Sequence, residues 1–315
     1  MDQTKQAPRI ALGTWSWGVG TVGGDQVFGN HLGAEELKPV FDTAMQAGLT
    51  LWDTAVVYGM GASETILGKL AKGHDDVILS TKFTPQISES GEDAMAVMCE
   101  GSLSRLGVES LDLYWIHNPA DVERWTPCLI PLLRSGKIKQ VGVSNHNLDQ
   151  IKRAEEILAS EGYHLSAVQN HYSLLYRSSE KAGILEYCRE KGLEFFAYMV
   201  LEQGALSGRY DTGHPLPEGS QRAATYNPVL AKLEKLIAAM RGIGRKYGAS
   251  VSQVAIAWAA CKGTIPLVGV TKPTHVSEAA SAVKIFLTQE EVAELERLAS
   301  DTGVDTKGSW ENPMV

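Results

Sequence analysis

The chain has 315 residues, 44% hydrophobic and 21% charged, enough to bury one large core or two smaller ones. Its 37 acidic side chains against 29 basic ones leave a net charge of −8, which argues against a nucleic-acid or anionic-membrane surface. No apolar run is long enough to cross a bilayer and "MDQTKQAPRI" lacks a signal peptide's apolar stretch, so a cytoplasmic, reducing setting is expected.

Apolar strand-like runs recur along the chain. The first is "IALGTWSW" at 10–17, followed by "GAEELKPVFDTAMQAG", where Leu37, Val40, Phe41 and Ala44 repeat at helical spacing. "LTLWDTA" and "VILSTKF" come next, then "LDLYWIH", "IKQVGVSN" and "LSAVQNHYSL". The helical stretches "DQIKRAEEILASEG" and "SEKAGILEYCREKG" each close on a glycine suited to a left-handed cap. "LEFFAYMV" and "TIPLVGV" complete the series. Eight buried strands separated by amphipathic helices predict α/β architecture, a closed parallel (β/α)8 barrel in a single domain over 1–315. A doubly wound open sheet is the competitor, but no GxGxxG follows the first strand.

One connection is too long. More than sixty residues separate "YMV" from "TIPLVGV", and "LEQGALSGRYDTGHPLPEGSQRAATYNP" reads as a long loop over the barrel's C-terminal face. Four scattered cysteines, Cys99, Cys128, Cys188 and Cys261, form no CxxC pair and read as free thiols; no metal site is expected.

Strand ends of a parallel barrel converge on one rim. Asp53 closes the second run, Lys82 sits near the end of the third, His117 ends the fourth, and Tyr58 follows five residues after Asp53. Taken singly, each has an ordinary structural role as cap, solvated charge or packing residue. An acid, a base, an imidazole and a phenol at adjacent strand exits make an acid–base site.

Here the sequence resembles the aldo-keto reductases over nearly its whole length. The family's Asp, Tyr, Lys and His fall on Asp53, Tyr58, Lys82 and His117, within "DTAVVYG", "SETILGKLAK", "VILSTKF" and "LDLYWIH"; "IKQVGVSN", "VQNHYSLL" and "GALSGRY" add support. The resemblance implies reduction of a small aldehyde or ketone with NADPH, NADH being the other candidate donor. A phenol is a weak acid near neutral pH, and Lys82 as an ammonium is expected to lower its pKa, anchored by Asp53. His117 would orient and polarise the carbonyl.

The resemblance further assigns Ser144, Asn145 and Gln169 to the nicotinamide carboxamide and Tyr198 to its ring. Met199, Val200, Leu201, Gln203, Gly204, Ser207, Gly208 and Arg209 would wrap the pyrophosphate. Thr14 and Trp15 would line the cofactor from the first strand, and Gly269, Val270, Thr271, Lys272, His275 and Glu278 would hold the adenosine end. Lys272 and a partly charged His275 stand in for the arginine that many relatives place on a 2′-phosphate, and Ala279 replaces a common adenine-binding asparagine. Trp17, Tyr58, His117 and Trp310, with Trp15 and Trp115, are candidate substrate-pocket residues. The family's opening β-hairpin is expected to be missing or reduced. The rival reading is a cofactor-binding regulatory subunit of the same fold, like channel-associated members; an isomerase or lyase on a generic barrel would need no nicotinamide. Nothing in the sequence fixes an oligomeric state.

Overall fold

All eight apolar runs become strands: β1 (Ala11–Gly13), β2 (Leu51–Asp53), β3 (Ile78–Phe83), β4 (Leu111–Ile116), β5 (Ile138–Ser144), β6 (Ala167–His171), β7 (Glu194–Tyr198) and β8 (Ile265–Gly269). The structure is a computed structural model that describes residues 10–88, 91 and 93–314. Residues 1–9, on which the expected loss of the opening hairpin falls, lie outside the described residues. Each strand pairs parallel with the next, and β8 pairs with β1, closing the barrel in sequence order.

Side chains alternate across each strand, which sorts them into two cores. Ala11, Leu51, Ile78, Leu113, Trp115, Ala167 and Phe196 fill the barrel interior. Leu12, Trp52, Leu79, Tyr114, Val141 and Phe195 face the outer helices. Trp115 and Phe196 meet edge to face at 5.3 Å near the interior's centre. Gly142 makes this possible, because a Cβ there would stand 2.3 Å from the Trp115 ring.

The helices form where spacing and caps agree. Ala34–Gln46 buries Leu37, Val40, Phe41 and Ala44. Leu148–Ala159 begins with a reciprocal Asn147–Gln150 cap, and Ile184–Lys191 stops at Gly192, φ +69°. The long connection after β7 differs from a plain loop. It holds a 3₁₀ segment Glu202–Ser207, a helix Gln221–Tyr226 capped by Ser220, and the helices Leu230–Tyr247 and Val251–Cys261. Buried Leu216, Ala223 and Tyr226 tie it to the core. Among the described residues no disulfide joins any of the four cysteines, and no helix is long and apolar enough to cross a membrane.

Candidate active site

Asp53 ends β2, Lys82 lies one residue before the end of β3, and His117 directly follows β4. The barrel brings these three to Tyr58, which follows the turn after β2. Lys82 Nζ ion-pairs with Asp53 Oδ2 and donates to the Thr54 carbonyl at 2.8 Å, with both side chains buried. The other carboxylate oxygen, Oδ1, accepts from Ser80 Oγ at 2.8 Å and from Gln169 Nε2 at 3.2 Å. Ser80 Oγ in turn accepts from Trp115 Nε1 at 2.5 Å. A charge pair removed from water persists only with its remaining hydrogen-bonding capacity met, and here it is. Lys82 Nζ stands 5.2 Å from the Tyr58 ring centre, and the Tyr58 and His117 rings meet edge to face at 6.0 Å.

Burial raises the pKa of the Tyr58 phenol; Lys82 pulls it back and Asp53 adds to the rise, leaving it above 10. The expected lowering by Lys82 is therefore present but outweighed, and Tyr58 keeps its proton at neutral pH. That is the state a proton donor needs. Burial opposes the Lys82 charge, yet Asp53 and Tyr58 more than offset it and its pKa rises. Burial, then Lys82, hold His117 well below 6.5, so its ring is neutral. Thr84 Oγ1 lies 3.0 Å from His117 Nδ1; with that hydroxyl donating, the ring's proton sits on Nε2 as a free donor. Sequence reasoning missed Ser80, Thr84 and Trp115 as partners of the four. The signal was available: Ser80, Lys82 and Thr84 share a parity, as do Trp115 and His117.

The expected nicotinamide residues also converge. Asn145 Nδ2 donates to the His117 carbonyl at 2.9 Å and to Asn118 Oδ1 at 3.1 Å. Its Oδ1 accepts from the Tyr198 hydroxyl at 2.6 Å. Ser144 and Gln169 are register partners and buried, while Tyr198 is half-buried. Thr14 is buried, its hydroxyl donating to the Asp53 carbonyl at 3.2 Å. Met199, Glu202 and Gln203 hold left-handed backbone at φ +62°, +47° and +51°, an unusual concentration for residues with a Cβ and a mark of functional segments. Val200 is buried; Leu201, Gln203 and Ser207 are half-buried, and Ser207 Oγ donates to the Gly204 carbonyl at 2.6 Å. Gly204, φ +105°, suits the close backbone approach expected of it. Gly208 is different: a Cβ would meet Val251 at 2.7 Å, so helix packing demands this glycine. Arg209 is exposed, its guanidinium 5.6 Å from the Tyr210 ring.

At the adenosine end, Gly269 and Lys272 are exposed, Thr271, His275 and Glu278 half-buried, and Val270 and Ala279 buried. His275 Nδ1 accepts from the Thr271 N–H at 3.3 Å. Burial lowers its pKa; Glu278 opposes this, while Lys272 and Arg209 add to it. The expected partial charge on His275 is therefore smaller than an ordinary imidazole would carry, and Lys272 and Arg209 are the cationic side chains near it.

The pocket aromatics divide. Trp15 stacks on Tyr58 at 5.9 Å and takes Phe28 and Trp310 edge-on at 5.4 and 5.8 Å. Phe28 was not foreseen. Trp17 is no pocket residue: it is fully buried, packs on Trp52 at 5.2 Å, and donates to the Val270 carbonyl at 2.7 Å. Trp115 lies below the rim, inside the barrel.

Residues 9–300 match the model of the Aldo/keto reductase family. The chain is 31% identical over 313 residues to the chloroplastic pyridoxal reductase of Arabidopsis thaliana, covering 93% of this chain and 83% of that protein. A solved aldo-keto reductase from Klebsiella pneumoniae in complex with NADPH is 25% identical, with a TM-score of 0.75 and coverage of 97% of this chain and 95% of that one. A glycerol dehydrogenase from Gluconobacter oxydans is 27% identical, also with a TM-score of 0.75, over 96% of this chain and 95% of its own.

Proposed function

Because the chain belongs to the aldo/keto reductase family, a family of oxidoreductases, we propose that it reduces an aldehyde or ketone to the alcohol with NADPH and with Tyr58 as proton donor. The observation that carries this reading is the buried Lys82–Asp53 pair beneath a protonated Tyr58, with a neutral His117 across from it. Ser144, Asn145, Gln169 and Tyr198 would hold the nicotinamide at the rim, where it would supply the hydride for the carbonyl carbon. The His117 Nε2–H orients and polarises the carbonyl oxygen. As negative charge grows on that oxygen, the Tyr58 hydroxyl gives up its proton, and the Lys82 ammonium stabilises the phenolate left behind. Asp53 keeps Lys82 charged and in place.

The residues present fit a nicotinamide dinucleotide. Asn145, Gln169 and Ser144 offer amide and hydroxyl groups, and Tyr198 offers a ring beside the tetrad. The segment 199–209 offers left-handed backbone for close approach, and Lys272 and Arg209 offer cations for a 2′-phosphate. Trp15, Phe28 and Trp310 favour a carbonyl compound with a flat apolar body.

The test is oxidation of NADPH and NADH against aldehydes, ketones and quinones, with pyridoxal, the aldehyde in the plant relative's name, among them. Turnover with higher kcat/KM for NADPH is expected. Tight NADPH binding without turnover on any carbonyl would favour the regulatory subunit instead.

A further inference from the structure

A second set of buried charges lies behind Tyr198, and the chemistry above makes no use of it. His171, the last residue of β6, is the register partner of Tyr198. Its ring is sandwiched between Tyr176 at 4.3 Å and Tyr198 at 5.5 Å, nearly parallel to both. Nε2 lies 2.9 Å from Glu202 Oε1 and Nδ1 lies 2.8 Å from Glu311 Oε1; all three side chains are buried. Glu202 belongs to the strained segment after β7, and Glu311 to the C-terminal tail beside Trp310. Glu202 also accepts from the hydroxyls of Ser173, Tyr226 (2.6 Å) and Thr306 (2.9 Å), and Glu311 accepts from the Gly308 N–H at 3.1 Å.

A neutral imidazole has one N–H, so it can satisfy one carboxylate while presenting a lone pair to the other. Carboxylates at hydrogen-bond distance from both ring nitrogens require the doubly protonated ring. We propose that His171 is a positioning residue: as an imidazolium held by two carboxylates, it couples the segment after β7 to the C-terminal tail, so that the two close over the barrel mouth together. The closed arrangement is visible on the mouth side, where Trp310 Nε1 donates to the Tyr198 hydroxyl at 3.3 Å and its ring meets Trp15. His171 therefore backs the Tyr198 ring while its two partners hold the walls on either side. The benefit to cofactor retention rests on the NADPH reading; the coupling itself does not.

The charge of His171 sets the pH range of the device. Burial opposes protonation, but Glu202 and Glu311 raise its pKa to about 9. The other groups facing it are the phenols of Tyr176, Tyr198 and Tyr226, all pushed above 10, and Asp305 of the tail acts on Tyr176. The coupling therefore holds at neutral pH and fails as pH rises through about 9.

The experiment compares wild type with Glu311→Gln, which neutralises the tail's partner of His171 and leaves the hydroxyl contacts of Glu202 in place. In the cofactor-free proteins, hydrogen exchange is followed in residues 199–209 and 303–314. Both segments should exchange faster in the variant by about tenfold or more, as expected when one member of a buried charged network is neutralised. In parallel, NADPH dissociation should accelerate in Glu311→Gln, and the wild-type rate should climb through about pH 9 while the variant's stays flat across that range. Faster exchange confined to the tail, with residues 199–209 and NADPH dissociation unchanged, overturns the proposal. His171→Gln should reproduce the double loosening; if it does not fold, Thr306→Val tests the tail contact to Glu202 by the same readout. Failure of wild type to bind NADPH would sink the cofactor reading and leave the exchange result to decide the coupling.

Discussion

Two buried ion clusters sit on opposite sides of one barrel rim. Asp53 and Lys82 come from neighbouring strands, β2 and β3, and their pairing is fixed by the register of the sheet. Glu202, His171 and Glu311 come from a loop, a strand and a tail, and they are held together by their own ion pairs and by side-chain hydroxyls such as that of Thr306, not by the register of the sheet. The first cluster has one cation for one acid and supports a phenol that must release a proton. The second has one cation for two acids and supports an aromatic ring that must stay still. Charge built into a sheet is rigid enough for chemistry, whereas charge gathered from loops suits closure.

The sharpest way to break this comparison is Tyr58→Phe. Positioned acid catalysis is worth about 10²–10⁴-fold, so kcat should fall by that order while NADPH binding and the melting transition hold. Near-normal carbonyl reduction would remove the catalytic role from the first cluster altogether.

Next comes Lys82→Met, which leaves the Asp53 carboxylate buried without its cation. Breaking such a pair costs about 3–5 kcal/mol, read as a lower midpoint in urea. Turnover should also fall, because the phenolate loses its stabilising charge. Asp53→Asn should show a milder version of both defects. Denaturation midpoints equal to wild type in both variants would mean that the pair contributes nothing to the barrel.

Smaller is the pH dependence of the second cluster. His171 has a raised pKa in the folded protein, so its stabilisation is complete below about pH 6.5 and is lost as pH climbs through about 9. A rise of that size corresponds to about 3 kcal/mol at most, and less in practice because the two acids repel once the ring is neutral. Wild-type stability should therefore decline between pH 7 and 9.5 more steeply than that of Glu311→Gln. Parallel curves would remove His171 from the balance.

The smallest effect is expected at the rim's exposed edge. Lys272→Ala removes one solvated point charge, which is worth about 1 kcal/mol against a phosphate in water. KM for NADPH should rise several-fold and KM for NADH should stay nearly constant. Because burial holds His275 below the ordinary imidazole value, the NADPH preference should change little between pH 7 and 8. Equal changes in both KM values would show that Lys272 does not read the 2′-phosphate.

The first cluster was legible in the sequence and the second was not, for a physical reason. Strand parity and strand order place Asp53, Lys82 and His117 without knowledge of any loop. Parity also fails in an instructive way: Trp15 and Trp17 would share a face had β1 continued, but the chain turns after Gly13, where the Trp17 N–H donates to the Thr14 carbonyl at 2.9 Å. One tryptophan therefore reaches the mouth and the other the outer core. Glu311 lies 140 residues from its partner His171. No periodicity links a tail to a strand at that distance, and an acid in "SWENP" reads as solvated until its neighbours are known. The helix Gln221–Tyr226 was hidden similarly, since "QRAATY" carries little apolar spacing and is held by its Ser220 cap.

Gly142 lies in the barrel wall and touches none of the reacting groups. Yet its missing methyl is where the Trp115 ring rests, Trp115 holds Ser80, and Ser80 holds Asp53. A single carbon added at this position would travel through three contacts to the carboxylate that anchors Lys82. Descendants of this sequence can therefore vary the exposed mouth widely as they change what they accept, while an internal glycine remains closed to them.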